Sequence, residues 1–327
     1  MNALKETKKK HLVAILKYLY LHNSSTMNEL VENLQLSQPS IRNMVRTLQE
    51  KQLIQEVGND LSSGGRCPTR FALNEKNYLI LCLYVQVDKV IYQLRNFNEI
   101  KKEGILFYQS EDELKKTIKD LIDQEKIHCC QIAVEGIVYE DVYVTDHHNV
   151  LEKHQWLKDI KKEINIPLQL QNDVKMIHQG CYFTYQQDST YYLYINEVGI
   201  GSSYFYKDEP LYGRSGIMGE IGLISLKGKT INQQIRECQN QEEFNEILSL
   251  LLSMVFTMID PKRLELSLDL KWNYEEKKIE NVLNKIDKDC FKHLYFHEDV
   301  SSMLFEGLVY RGVVYLLKER IERNEKI

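Results

Sequence analysis

Ser62-Ser63-Gly64-Gly65-Arg66-Cys67-Pro68-Thr69-Arg70 lies between two short apolar runs, Leu53 to Val57 and Thr69 to Leu73. This spacing predicts a β-hairpin with the glycines at its tip. Glycine reaches the positive φ angles of a tight turn and lets a backbone approach another surface, while a guanidinium pairs with phosphate or enters a narrow minor groove. A DNA-binding wing needs those properties. An ordinary solvated hairpin with a stray arginine fits the same nine residues equally well, so the flanking sequence must decide.

Upstream of the hairpin the apolar residues follow helical spacing. Leu12, Val13, Ile15, Leu16, Leu19 and Tyr20 predict an amphipathic helix over Lys8 to Leu21, broken at His22-Asn23-Ser24-Ser25. Ser25 or Thr26 can cap a second helix, whose inner face is Leu30, Val31 and Leu34. A third helix begins after Ser37, with Pro39 in its first turn and Ile41, Met44, Val45 and Leu48 as one apolar stripe. Its other face presents Gln38, Ser40, Arg42, Asn43, Arg46 and Thr47, side chains able to reach base edges and phosphates from a helix in the major groove. Helix, turn, helix and hairpin follow the order of a winged helix-turn-helix. These six residues, with Gly64, Gly65 and Arg66 of the wing, form a candidate DNA-binding set. A small helical oligomerisation domain is the competing reading of the helices, and it would not need Gly-Gly-Arg at this place.

Charge is distributed unevenly along the chain. The 327 residues carry a net charge of −5, yet residues 1 to 75 hold ten Lys/Arg and seven Asp/Glu, or +3, which leaves −8 for the remainder. A small basic module on an acidic body is expected where only the first part meets phosphate. With 43% apolar and 27% charged residues the composition is that of an ordinary globular protein, which excludes disordered and fibrous classes. No run of eighteen apolar residues occurs, and the basic start leads to no small-residue cleavage site, so a cytoplasmic location without a membrane partner is expected. Cys67, Cys82, Cys129, Cys130, Cys181, Cys238 and Cys290 show no Cys-x-x-Cys spacing, so buried free thiols are expected.

Beyond Asn74 strands alternate with helices. Strands are predicted at Tyr78 to Val87, Lys89 to Arg95, Cys129 to Val134, Val138 to Val144, Pro167 to Gln171, Thr190 to Asn196, Ser202 to Tyr206 and Leu264 to Leu270. Helices are predicted at 111–124, 156–164, 174–185, 241–259, 275–286 and 300–323, which gives an α/β body with a mixed sheet and no visible internal repeat. Two stretches could carry chemistry. Asn172-Asp173 ends a strand before a helix, the place where open α/β folds bind ligands, although a simple helix cap fits the same spacing. In Gly213-Arg214-Ser215-Gly216-Ile217-Met218-Gly219-Glu220-Ile221-Gly222, four glycines surround a carboxylate that can accept hydroxyl hydrogens; a structural turn cluster is the alternative.

Taken together, the helix-turn-helix, the SSGGRCP wing, IPLQLQND, VGIG and LYGRSGIMGEIG resemble the ROK family of repressors, open reading frames and kinases over nearly the whole chain. The resemblance implies a winged helix-turn-helix over residues 1–76. It further implies a two-lobed, actin-like body of sugar-kinase type (ribonuclease H-like) over 77–327, with lobes at about 77–185 plus the last helix and about 186–300. Asn172, Asp173 and Glu220 match hydroxyl-binding positions, and His148-Asn149 corresponds to a further sugar-contacting loop, which adds Asn149. A homodimer or homotetramer on a double-stranded DNA operator is also implied.

Departures from the family pattern narrow the expectation. The phosphate-loop position reads Val85-Gln86-Val87-Asp88 without glycine or hydroxyl, Glu197-Val198 stands where a glycine and a threonine are usual, and Lys262 to Leu268 lacks paired glycines. Phosphate cradling needs close backbone approach and N–H donors, so kinase activity is not expected. Leu223 replaces a histidine, and Ile224 to Lys229 replaces a cysteine cluster, so neither a bound zinc nor another cofactor is expected. The resulting expectation is a transcriptional regulator, a repressor of carbohydrate-metabolism genes, controlled by a sugar or sugar-phosphate effector in a non-catalytic body. The alternatives are a carbohydrate kinase with an appended regulatory domain, and a DNA-binding regulator controlled by a protein partner.

Overall fold

Helix Asn2–His22 opens the chain in the computed structural model, which describes residues 2–59, 67–147, 150–185 and 187–323. It is followed by strand Ser25–Thr26, helices Met27–Leu34 and Gln38–Glu50, and strands Ile54–Asn59 and Thr69–Leu73. The strands form an antiparallel sheet with Thr69–Leu73 in the middle, the architecture of a winged helix. Of the two candidate caps for the second helix, Thr26 takes the position. Its hydroxyl accepts the Glu29 N–H while the Glu29 carboxylate accepts the Thr26 N–H, so two otherwise orphaned donors are satisfied. Ile41, Met44, Val45 and Leu48 are all buried, each worth about 1.5–3 kcal/mol of apolar burial. Gly64, Gly65 and Arg66 lie outside the described residues.

The body holds two five-stranded sheets of the same topology. In the first, Ile80–Val85 is central; Lys89–Arg95 and Ile100–Phe107 add antiparallel on one side, and Cys129–Val134 and Leu168–Asn172 add parallel on the other. In the second, Ser189–Asn196 is central, flanked by Ile200–Tyr206 and Glu209–Pro210 and by Arg263–Asp269 and Leu294–Phe296 in the same senses. The body is therefore a structural repeat that the sequence does not display. Strand order depends on which edges pair, and the central strands ILCLYV and STYYLYIN share that order with only Leu83-Tyr84 and Leu193-Tyr194 in common.

Two helices lie back to back between these sheets, Asp173–Tyr185 against the second and Val300–Arg323 against the first. Their backbones cross closely. A Cβ on Gly180 would stand 2.0 Å from the Met303 carbonyl oxygen, and one on Gly307 2.0 Å from that of Met176. Residues 300–321 are long and apolar enough to cross a membrane by length and composition alone, but Leu308, Val309, Val313 and Leu317 are buried in this helix sandwich. The same apolar core continues into the first helix through Leu12, Ile15 and Leu19. The boundary expected at residues 76 and 77 falls in the short turn Glu75–Asn77, next to the fully buried Tyr78.

Several elements escaped the sequence reading. Strand Ile100–Phe107 is an edge strand exposed along nearly its whole length, so Lys101, Lys102, Glu103 and Gly104 interrupt any alternation. The single strand predicted at 138–144 is two, Ile137–Tyr139 and Val142–His147, the latter paired in turn with Val150–His154.

Candidate functional site

On helix Gln38–Glu50 the buried stripe turns the opposite face to solvent, leaving Gln38, Ser40, Arg42, Asn43 and Arg46 exposed. Thr47 is half-buried, and its hydroxyl donates to the Asn43 carbonyl at 2.9 Å, so it is engaged with its own helix. Ser37 sits at the N-cap without a side-chain cap bond; its hydroxyl donates to Ser40 Oγ instead. Arg46 forms a loose pair with Glu50 at 3.7 Å in solvent, a contact of little energetic weight. Arg70, on the hairpin's return strand, faces inward: its guanidinium donates to the Ser24 carbonyl and pairs with Glu29 at 3.2 Å, fastening the hairpin to the second helix.

The second site is the cleft between the sheets. Asn172 is the residue before helix Asp173–Tyr185, and its Oδ1 accepts the Lys175 N–H at 2.9 Å, so the cap reading of this position holds geometrically. The same residue also faces a cavity of about 110 Å³ together with Asp173, Glu220, Glu135, Tyr194 and Asn232. The structure thus brings Asn172, Asp173 and Glu220 together. Asn149 lies outside the described residues. Behind them, His178 is hydrogen-bonded through Nε2 to Thr190 Oγ1 at 2.8 Å and through Nδ1 to Ser203 Oγ, which fixes the helix to the second sheet. Burial pushes this imidazole down to about 3, so it stays neutral.

The cleft carboxyls are costly to ionise. Burial, reinforced by Glu135 and Glu220, pushes Asp173 up to about 8. Burial also pushes Glu220 up to about 7 against the opposing pull of Lys175. The Lys175 ammonium is itself buried and lowered below its ordinary value by desolvation, and it stands 5.6 Å from the centre of the Tyr212 ring. Such buried acids are relieved by hydroxyl donors, which is how a polyol would be held. The glycine loop that carries Glu220 answers a backbone requirement. Gly216 (φ +78°) and Gly219 (φ +100°) would place a Cβ 2.4 Å and 2.1 Å from the carbonyl oxygens of Val138 and Ser202, so the loop packs against both lobes and Glu220 enters the cleft beside it.

Sequence reasoning missed Glu135, Thr145, Tyr194, Asn196 and Asn232. Glu135-Gly136 follows the parallel strand Cys129–Val134 just as Asn172-Asp173 ends its neighbour, so the rule of strand C-termini would have found it. The turn at Val85-Gln86-Val87-Asp88 offers its carbonyl groups inward to the fold: Tyr108 donates through its hydroxyl to Gln86 O and through its N–H to Asp88 O. Among the described residues no group of three or more His, Cys, Asp or Glu side chains could hold a metal ion.

A winged helix seated on a two-lobed, actin-like body of sugar-kinase type defines the class. The sequence is similar to the ROK family over residues 105–250, somewhat less than half of the chain. It is 24% identical over 229 residues to the xylose repressor of Staphylococcus xylosus, an alignment that covers 64% of this chain and 58% of that protein. The fold is similar to that of a ROK family transcriptional regulator, a homologue of the E. coli MLC protein, with TM-score 0.69, 13% identity, and 96% and 99% of the two chains covered. It is also similar to a ROK family protein from Streptococcus pneumoniae solved with sucrose, at TM-score 0.54, 13% identity, and 75% and 99% coverage. At these identities the structural likeness is one of fold.

Proposed function

We propose that this chain is a DNA-binding transcriptional regulator, a repressor of carbohydrate genes, whose kinase-like body senses a sugar rather than phosphorylating it. The reading rests on one observation: helix Gln38–Glu50 buries its whole apolar stripe and turns Gln38, Ser40, Arg42, Asn43 and Arg46 to solvent. In this reading those side chains, with Thr47 as a helix-stabilising neighbour, meet the major groove, and Gly64, Gly65 and Arg66 place the wing in the adjacent minor groove. The similarity to the xylose repressor supports an operator as partner. We further propose that it acts in the cytoplasm as a homodimer or homotetramer, since two-fold operators mirror two-fold proteins.

The input is the cleft at Asn172, Asp173 and Glu220, to which the family resemblance adds Asn149. A physical route joins it to the output. Lys17 of the first helix pairs with Asp208 and with Glu209 (3.1 Å) on the second lobe, Tyr310 of the last helix donates to Asp208 at 2.7 Å, and Arg311 pairs with Glu209 at 3.1 Å. Although burial acts to raise it, Asp208 is held below the usual carboxylate range by Lys17 and Tyr310. Any ligand that favours one spacing of the lobes therefore bears on the angle of the winged helix.

The kinase reading has one feature in its favour: a carboxyl at about 8 could serve as a general base. Against it stands the turn 85–88, which has no glycine or hydroxyl and whose Gln86 N–H donates to the Lys89 carbonyl at 2.9 Å. Binding of ATP measured calorimetrically would support the kinase; absence of binding leaves the sensor. For the DNA-binding reading, Arg66→Ala is expected to weaken binding to the fragment upstream of the chain's own gene in a mobility-shift assay. A change of less than about twofold at moderate salt would refute the wing assignment.

A further inference from the structure

A second cavity, of about 290 Å³, adjoins the cleft and shares Glu135 and Thr145 with its wall. One side is aromatic and already fixed in place. The His154 ring stacks on Tyr143 at 4.4 Å and 18°, Trp156 stands edge-on to Tyr143, and its indole N–H donates to the Tyr143 hydroxyl at 3.1 Å. Thr145 Oγ1 and His154 Nε2 are 3.0 Å apart, which sets the imidazole at the passage between the two spaces. Glu135 faces both spaces, with Oε1 accepting from Tyr84 and Gln86. Glu111 and Glu152 complete the far wall.

Charge selects the ligand. Among the described residues neither cavity is lined by lysine or arginine, and each is lined by carboxylates. A phosphoryl group would meet like charge and find no guanidinium or ammonium partner. An aromatic wall with acceptor groups at its rim suits the apolar face and edge hydroxyls of a sugar ring. The cleft alone is small for a ligand, whereas cleft and adjoining cavity together reach the range of roughly 300–1,000 Å³ found for small-molecule sites.

We propose that the effector is an unphosphorylated glycoside of two rings, one held by Asn172, Asp173 and Glu220 and the other seated against Tyr143 and His154. This rests on the sensor reading above and makes it specific: of sugars and sugar phosphates, it selects uncharged disaccharides. Calorimetry on the full chain with glucose, xylose, maltose, cellobiose, xylobiose and glucose 6-phosphate tests it. At least one disaccharide is expected to bind roughly tenfold tighter than any monosaccharide or the phosphate. His154→Ala is expected to remove that advantage and leave monosaccharide affinity within about twofold, and Gln109→Trp, at an exposed position on the rim, should do the same by filling the cavity. Asp173→Asn is expected to weaken every sugar. Disaccharides binding no tighter than monosaccharides, tightest binding of the phosphate, or equal weakening of both sugar classes by His154→Ala and Gln109→Trp would each overturn the second-ring site while leaving the sensor reading in place. No binding by any of the six would refute both.

Discussion

The exposed face of helix Gln38–Glu50 and the cleft at Asp173 and Glu220 are both polar, but they hold that polarity under opposite conditions. Arg42, Asn43 and Arg46 stand in water, where their polar groups stay hydrated, and they depend on the fold only for direction. Asp173 and Glu220 are desolvated until their ordinary charge becomes unfavourable near neutral pH. A surface used for phosphate can keep its charges solvated until the partner releases counterions. A pocket for hydroxyls has to bury its acceptors beforehand, and the folded chain carries that strain until a donor arrives.

The contrast can be broken from either end. The largest effect is expected on the exposed face: Arg42→Ala with Arg46→Ala should weaken operator binding by at least about 30-fold and flatten its salt dependence, read by fluorescence anisotropy over a salt series. Both sites are exposed, so the thermal midpoint should hardly move.

The next effect has the opposite sign. Folding raises the Asp173 pKa from an ordinary 3.8 to about 8, so the folded state binds the extra proton between those limits and loses stability as pH rises through them. Asp173→Asn removes the charge yet can still accept the Val174 N–H through Oδ1. The variant should therefore be more stable than the wild type at pH 8.5, by an order of a few kcal/mol, and show a smaller gain at pH 5, while sugar binding falls. Equal midpoints at both pH values in thermal unfolding would show that the carboxyl is not desolvated.

Coupling between the two sites gives the smallest effect. Lys17→Met removes the cation that joins the first helix to Asp208 and Glu209, while Tyr310 and Arg311 still partner those carboxylates. Operator affinity without sugar should change little. The shift in affinity that sugar produces should shrink by roughly fivefold, about 1 kcal/mol of coupling. An undiminished shift would place the route elsewhere.

Legibility followed the same divide. The recognition helix could be read because a single stripe, Ile41, Met44, Val45 and Leu48, sets which side is solvent, and local periodicity carries that information. Asn172-Asp173 and Glu220 could be placed by motif, but their burial could not, because it comes from chain segments far apart in sequence, and the Glu135 charge that adds to the Asp173 shift is just as distant. The repeated sheet order was invisible for a related reason: strand order is set by long-range pairing, and strands 80–85 and 190–195, although buried in the same pattern, have little sequence in common. Glycine was legible as a constraint and misleading as a ligand signal. Gly216 and Gly219 serve close backbone crossings, and the adjacent Glu220 carries the chemistry.

The central claim is that this chain reads DNA with helix Gln38–Glu50. The most direct measurement is selection of fragments from its own genome by the full-length protein, run beside the Arg42→Ala, Arg46→Ala variant. The account predicts that the wild type enriches a discrete site of two-fold symmetry and that the variant enriches none. Enrichment of the same site by both proteins, or of no site by the wild type, would contradict it.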